Sequence, residues 1–235
     1  MATKTCHDYS DTHPLPLGQA IRALPAQYLK IITRPSVQSF SAEKGKARWS
    51  SVWLQLIALS ILSALFSVLA QLLAPPHVGT VAGVSQATLQ AVTTTLLALF
   101  LLVGTPLAFL VAGAVFYWLA RLFKGDGSYL QQVYTLTLFG VPLVLLSFLL
   151  QLIPATSSWL PYLPHLYSLA LLVPSLMAVH HLSWGKALAV LLIPPGIVLT
   201  FAGTIVLTAP VSHERNHNDE INQRVYWTRI TVGSS

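Results

Sequence analysis

Charged residues are missing from three long stretches of this chain, and that absence limits its fold more than any motif does. No Asp, Glu, Lys or Arg occurs in residues 49–120, 127–185 or 187–213. About 20 helical residues cross the ~30 Å hydrocarbon layer of a bilayer, and charge-free apolar runs longer than about 18 are candidates to do so. A water-soluble helical protein can bury one such run, but not several in succession. Only 9% of the residues are charged, against about 25% in soluble domains. The chain reads as an all-α integral membrane protein.

The apolar pattern predicts a bundle of five transmembrane helices, at 52–73, 96–123, 133–153, 160–181 and 187–208. Residues 1–51 then form a segment before the membrane, 52–208 the membrane domain, and 209–235 a polar tail. The stretch SQATLQAVTTT leads straight into the second span. One helix over 85–123 would greatly exceed the thickness of the hydrocarbon layer. Such a helix either projects into water or breaks at Gly104, Thr105 and Pro106.

Orientation follows from Lys and Arg, which accumulate on the cytoplasmic side of membrane proteins. Lys4, Arg22, Lys30, Arg34, Lys44, Lys46 and Arg48 precede the first span. Arg121 and Lys124 lie between spans two and three, and Lys186 between four and five. The remaining two loops have none. This places the chain in the cell membrane as a multi-pass protein, with the N-terminus cytoplasmic and the C-terminus extracytoplasmic. The KGDG sequence at 124–127 is then a tight cytoplasmic turn whose glycines supply a permissive backbone. A formal net charge of +6 thus serves topology and anionic lipid headgroups, and nucleic acid is not an expected partner.

Two segments outside the spans carry pattern. In 17–34, Leu17, Ala20, Ile21, Leu24, Tyr28, Ile31 and Ile32 share one helical face. Pro25 is expected to divide it into two short helices. A basic amphipathic helix beside a membrane suits the headgroup plane, and packing beneath the bundle is the alternative. At the other end, VYWTRITV (225–232) is β-prone and reads either as a frayed tail or as a strand awaiting a partner edge.

Within the spans, Pro106, Pro142, Pro174, Pro194 and Pro195 bend helices by removing backbone donors. Broken helices line some transporter sites, but no span carries Asp, Glu, Lys or Arg at mid-depth, where ion and proton pathways place them. Structural kinking is the better reading. Ser60 with Ala64, Ser63 with Ser67, and Ala108 with Ala112 have the small-residue spacing of close helix contacts. His180 and His181 are adjacent, so they face different sides of a helix and make a poor chelating pair. They, His77 and His165 read as headgroup-level anchors, while His7, His13, His213 and His217 fall in the tails. The single cysteine, Cys6, permits no intramolecular disulfide. No HExxH, GxSxG, Walker or Rossmann pattern occurs. No catalytic, cofactor-binding or metal-ligating residue is nominated, and no cofactor is expected.

The stretches GDGSYLQQVYTLTLFGVP and HHLSWGKALAVLLIPP, with IITRPSVQSF upstream, resemble the Yip family of Ypt/Rab-interacting proteins. The shared pattern is a glycine-rich turn, a Ser-aromatic-x-Gln start to span three, a proline near its middle, and a later His-x-Ser-type turn followed by Lys-Ala and a proline-broken span. The resemblance covers roughly residues 30–208. It implies five spans with a cytoplasmic N-terminus, and for eukaryotic members a link to Rab GTPases and vesicle formation in the early secretory pathway. The short N-terminal segment is more like the prokaryotic branch, for which no activity is implied, and the polar tail departs from the family's short C-terminus.

The leading reading is a non-enzymatic membrane scaffold or assembly and trafficking partner, in contact with the lipid bilayer and other membrane proteins. A transport component for a neutral or lipid-like substrate is the alternative, as is an accessory subunit of a larger respiratory or photosynthetic complex. The charge pattern makes a direct prediction in a background lacking Cys6. A cysteine at Ser157 should react with a membrane-impermeant thiol reagent in intact cells, and one at Ser128 should not. The opposite labelling would overturn the orientation.

Overall fold

A computed structural model of the chain describes residues 17–73, 84–153 and 159–208. These residues form α1 (Leu17–Thr33), α2 (Val37–Lys44), α3 (Trp49–Leu73), α4 (Gln86–Leu122), α5 (Tyr129–Gln151), a 3-10 turn at Leu160–Tyr162, α6 (Leu163–His180) and α7 (Trp184–Thr208). No strand occurs among the described residues. The chain divides into two compact units, Met1–Leu192 and Ile193–Ser235. The first holds α1 to α6 and the start of α7; the second holds the rest of α7.

Among the described residues, four helical segments are long and apolar enough to cross a membrane: Trp49–Leu73, Gln86–Leu122, Tyr129–Gln151 and Leu160–His180. They coincide with the first four predicted spans. The fifth prediction falls on α7, whose side chains are described only as far as residue 196. The β-prone segment 225–232 lies outside the described residues.

Helix starts follow local hydrogen-bonding chemistry. Ser36, Ser85 and Ser128 precede α2, α4 and α5 in extended backbone, and each side chain accepts the amide three residues on. Gln131 returns the bond to the Ser128 amide, completing a capping box. One expectation about proline is corrected, and one open alternative is decided. Pro25 does not divide the first helix, which runs unbroken through it. Pro25 and Ile21 are both exposed, so the Ile21 carbonyl that loses its donor lies on the outward side. Nor does α4 break at Gly104, Thr105 and Pro106; it is one helix of 37 residues, about 55 Å long at 1.5 Å per residue.

The core is centred on α5. Every residue from Gln132 to Val141 is buried, because α1, α2, α3, α4 and α6 all pack around it. An apolar helix without a polar side tolerates burial on its whole circumference. By contrast, only Gly113 and Ala120 are buried among the described residues of α4. The glycines decide that contact. A Cβ at Gly113 would lie 2.6 Å from Val133 Cγ2, and one at Gly140 would lie 2.6 Å from Phe109 Cε1. Of the predicted small-residue pairs, Ser60, Ser63 and Ser67 are buried in α3, but Ala108 is exposed and Ala112 only half-buried. The close contacts fall instead at Gly113, against Val133, and at Gly140, against the Phe109 ring.

Replacing Gly140 with Val overpacks the α4–α5 contact and should cost about 1–3 kcal/mol, seen as a lower unfolding temperature in detergent. Gly18→Ala, where nothing lies within 4 Å of the added Cβ, should not lower it. Equal melting of Gly140→Val and the parent would refute this contact.

Candidate functional site

The polar groups of the bundle gather where the α4–α5 turn meets the end of α6. Helix α4 closes with a Schellman pattern: Gly125 N–H donates to Ala120 O at 2.9 Å and Lys124 N–H to Arg121 O at 3.0 Å. The left-handed residue is Lys124, with φ 64°. The expected role of the glycines is therefore corrected. Neither Gly125 nor Gly127 takes up left-handed backbone; both are needed because a side chain would not fit. A Cβ at Gly125 would stand 2.8 Å from His180 Cβ, and one at Gly127 2.5 Å from the Val179 carbonyl. The turn is pressed onto the last residues of α6.

His180 is buried there, its Nε2 3.2 Å from Gln132 Oε1 and its ring 6.0 Å from that of Tyr117. Its Nδ1 and Gln132 Nε2 have no hydrogen-bond partner among the described residues. His181 terminates α6 in left-handed backbone, φ 53°. The two histidines face different surroundings, as their adjacency predicts. The expectation of a headgroup-level anchor suits exposed His181 and fails for His180, which the glycine turn covers. His165 bonds Ser147 at 2.9 Å. His7, His13, His77, His213 and His217 lie outside the described residues.

The segment before α3 contributes most of the remaining charge. Lys44 Nζ donates to Ala178 O at 2.6 Å and sits 3.1 Å from His181 Nε2, placing a cation on the negative end of α6. One residue earlier, Glu43 is 1% exposed and accepts from Lys30 at 2.9 Å and Lys46 at 2.8 Å. Burial raises its carboxyl, but the hydrogen bonds and charges of Lys30 and Lys46 prevail and hold it below the usual carboxylate range. Gln27 accepts from Tyr134 at 3.2 Å, and Tyr28 donates to Gln55 at 3.0 Å. Burial, with Tyr134 nearby, pushes the Tyr28 phenol up.

These contacts make a clasp between the N-terminal helices and the spans. Glu43 is neutralised by two lysines, Lys44 is committed to the α6 carbonyl, and His180 is shielded. Among the described residues no three His, Cys, Asp or Glu side chains lie together where a metal ion could be held. Sequence reasoning missed this clasp, because apart from the Glu43–Lys46 pair its members are 13 to 137 positions apart. One signal was available: Glu43 is the only acidic residue between Asp11 and Asp126, and basic residues stand on both sides of it.

A family model described as Yip1 domain matches residues 29–207. No curated protein and no solved structure matches the chain.

Because the Glu43 carboxyl is held low, its stabilisation is complete above the ordinary glutamate pKa of about 4.3 and is lost as pH falls through the lower, folded value. Unfolding temperature in detergent should therefore fall in acid below that point, and less steeply in Glu43→Gln. Replacing Lys30 and Lys46 together with Met leaves a buried carboxylate uncompensated and should cost about 3–5 kcal/mol. An unchanged acid limb in Glu43→Gln would remove Glu43 from this account.

Proposed function

The chain belongs to the Yip1 domain family, and we propose that it is a five-span, non-enzymatic scaffold that holds other membrane proteins together or assists their assembly or trafficking. In this reading α7 is the fifth span, the N-terminus is cytoplasmic, and the C-terminal tail lies outside the cell membrane.

The observation that carries the proposal is the one-sided packing of α4. Phe100, Val103, Leu107, Val111 and Trp118 are all exposed along a helix whose neighbours touch it mainly through α3 and α5. Lipid tails are as apolar as these side chains, so lipid alone gives such a wall no reason for a fixed shape. A second transmembrane helix gains packing against it. The clasp supports the same role from the other direction, since it joins the segment before α3 to α5 and α6 and leaves α4 free. Transport would need a hydrated passage. The space beside Leu24, Gln27 and Tyr134 is about 10 Å³, room for a single water, and the larger cleft of about 370 Å³ beside Gln71, Gln90 and Thr94 is lined by α3 and α4 alone.

A photo-crosslinking residue placed at Val103 or Leu107 tests the proposal in intact membranes. Adducts with another membrane protein are expected from α4, and none from a probe at buried Leu138. Adducts to lipid alone from both α4 positions would sink the scaffold reading.

A further inference from the structure

We propose that α1 and α2 form a re-entrant hairpin: they enter the bilayer thickness from the end that carries the α4–α5 turn, reverse at residues 34–36, and leave on the same side. This rests on reading α5 and α6 as spans. It differs from a helix lying flat in the headgroups and from a domain beneath the bundle.

Depth is fixed by contacts on both arms. Phe40 is fully buried in α2 and meets Phe139 edge-on, with ring centroids 6.0 Å apart. Phe139 stands about 15 Å along α5 from its start at Tyr129, at 1.5 Å per residue. The Ile32 carbonyl, near the end of α1, accepts from Tyr167 Oη at 2.6 Å. Tyr167 lies about 20 Å along α6 from the turn-side end at His180. Lys44, at the far end of α2, is back at that turn-side end on Ala178 and His181. The hairpin thus reaches roughly the middle of a ~30 Å hydrocarbon layer and returns.

The reversal is built for scarce water. Backbone groups at membrane depth must be satisfied by protein or by a water-lined space, and here hydroxyls satisfy the carbonyls that a helix end leaves open. Tyr167 Oη donates to Ile32 O, in the last turn of α1, and Ser39 Oγ to Arg34 O at 2.9 Å, just beyond it. Ser36 Oγ accepts the Ser39 amide at 3.0 Å. The two arms present different outward faces. Leu29 is 64% exposed on α1 and suits acyl chains. Gln38 and Ser41 are exposed on α2, and Arg34 is exposed at the reversal. An unhydrated charge at this depth is strongly unfavourable. Water therefore follows the α2 face in from the turn-side end as far as Arg34 and reaches the Lys30 ammonium on Glu43, while lipid meets the Leu29 side of α1.

Nitroxide labels on single cysteines in the full chain with Cys6→Ser, reconstituted in lipid nanodiscs, test both faces. Leu29 and Gln38 carry the probes, with exposed Val103 on α4 and exposed Gly45 as references; none of these side chains is packed in the core. The Leu29 label should match Val103, relaxed by oxygen and several-fold less by a water-soluble nickel chelate than Gly45. The Gln38 label should respond to the nickel chelate several-fold more than Val103. A Leu29 label as open to nickel as Gly45 would overturn the hairpin while the spans stand. A Gln38 label that behaves like Val103 would overturn the water path, and with it the proposal as stated. A Val103 label as open to nickel as Gly45 would overturn the span reading and the hairpin together.

Discussion

The contact of the glycine turn with the end of α6 is the constraint from which the rest of the bundle takes its register. Gly127 lies too close to the Val179 carbonyl, and Gly125 too close to His180, for either to carry a side chain. Because the turn joins α4 to α5, this contact sets both helices against α6 at one end. Lys44 then binds a carbonyl one residue from that contact, at Ala178, and brings α2 to the same place. Four helices therefore share one anchoring point. The hydrophobic effect could not supply such register, since apolar helices in lipid slide past one another at little cost, and close backbone approach and hydrogen bonds must do it.

Burial of polar groups follows a consistent logic around that point. Glu43 is almost wholly buried while its two lysine partners keep 44% of their side chains exposed, so the lysines retain hydration and the carboxylate does not. A buried ion pair is weak evidence of net stability, because desolvation offsets much of the attraction. What it contributes is discrimination: a shifted α1–α2 hairpin would leave Glu43 charged and unpaired. His180 and Gln132 satisfy each other only in part, which leaves an uneven polar spot beneath the turn.

The bundle is asymmetric as a consequence. Helix α5 is enclosed on all sides from Gln132 to Val141, α6 is tied down at its turn-side end, and α4 meets its neighbours along one edge. A helix about 55 Å long with an open apolar flank can be covered by lipid, and in the scaffold role proposed above it is where a second helix joins. The N-terminal helices and α4 divide these tasks, one set closing the bundle and the other leaving it open.

By itself the sequence determined the class of protein and the places of four long apolar helices, because charge-free apolar runs longer than about 18 residues have few alternatives to helices in a membrane. The turn at 124–127 was equally legible, being local chemistry within a few residues. Only the tertiary structure decided which helix became the centre, since α3, α4 and α5 are all apolar and their patterns do not rank them. It placed the left-handed conformation on Lys124 and gave the glycines to close approach, and it carried α1 through Pro25, where local rules predicted a break. It also joined Glu43 to Lys30, and Lys44 to α6, across 13 and 134 positions of chain. Each of these outcomes depends on which surfaces meet. Periodicity reports which face of a helix is apolar, but the partner of that face is fixed only when backbones approach and buried polar groups find one another.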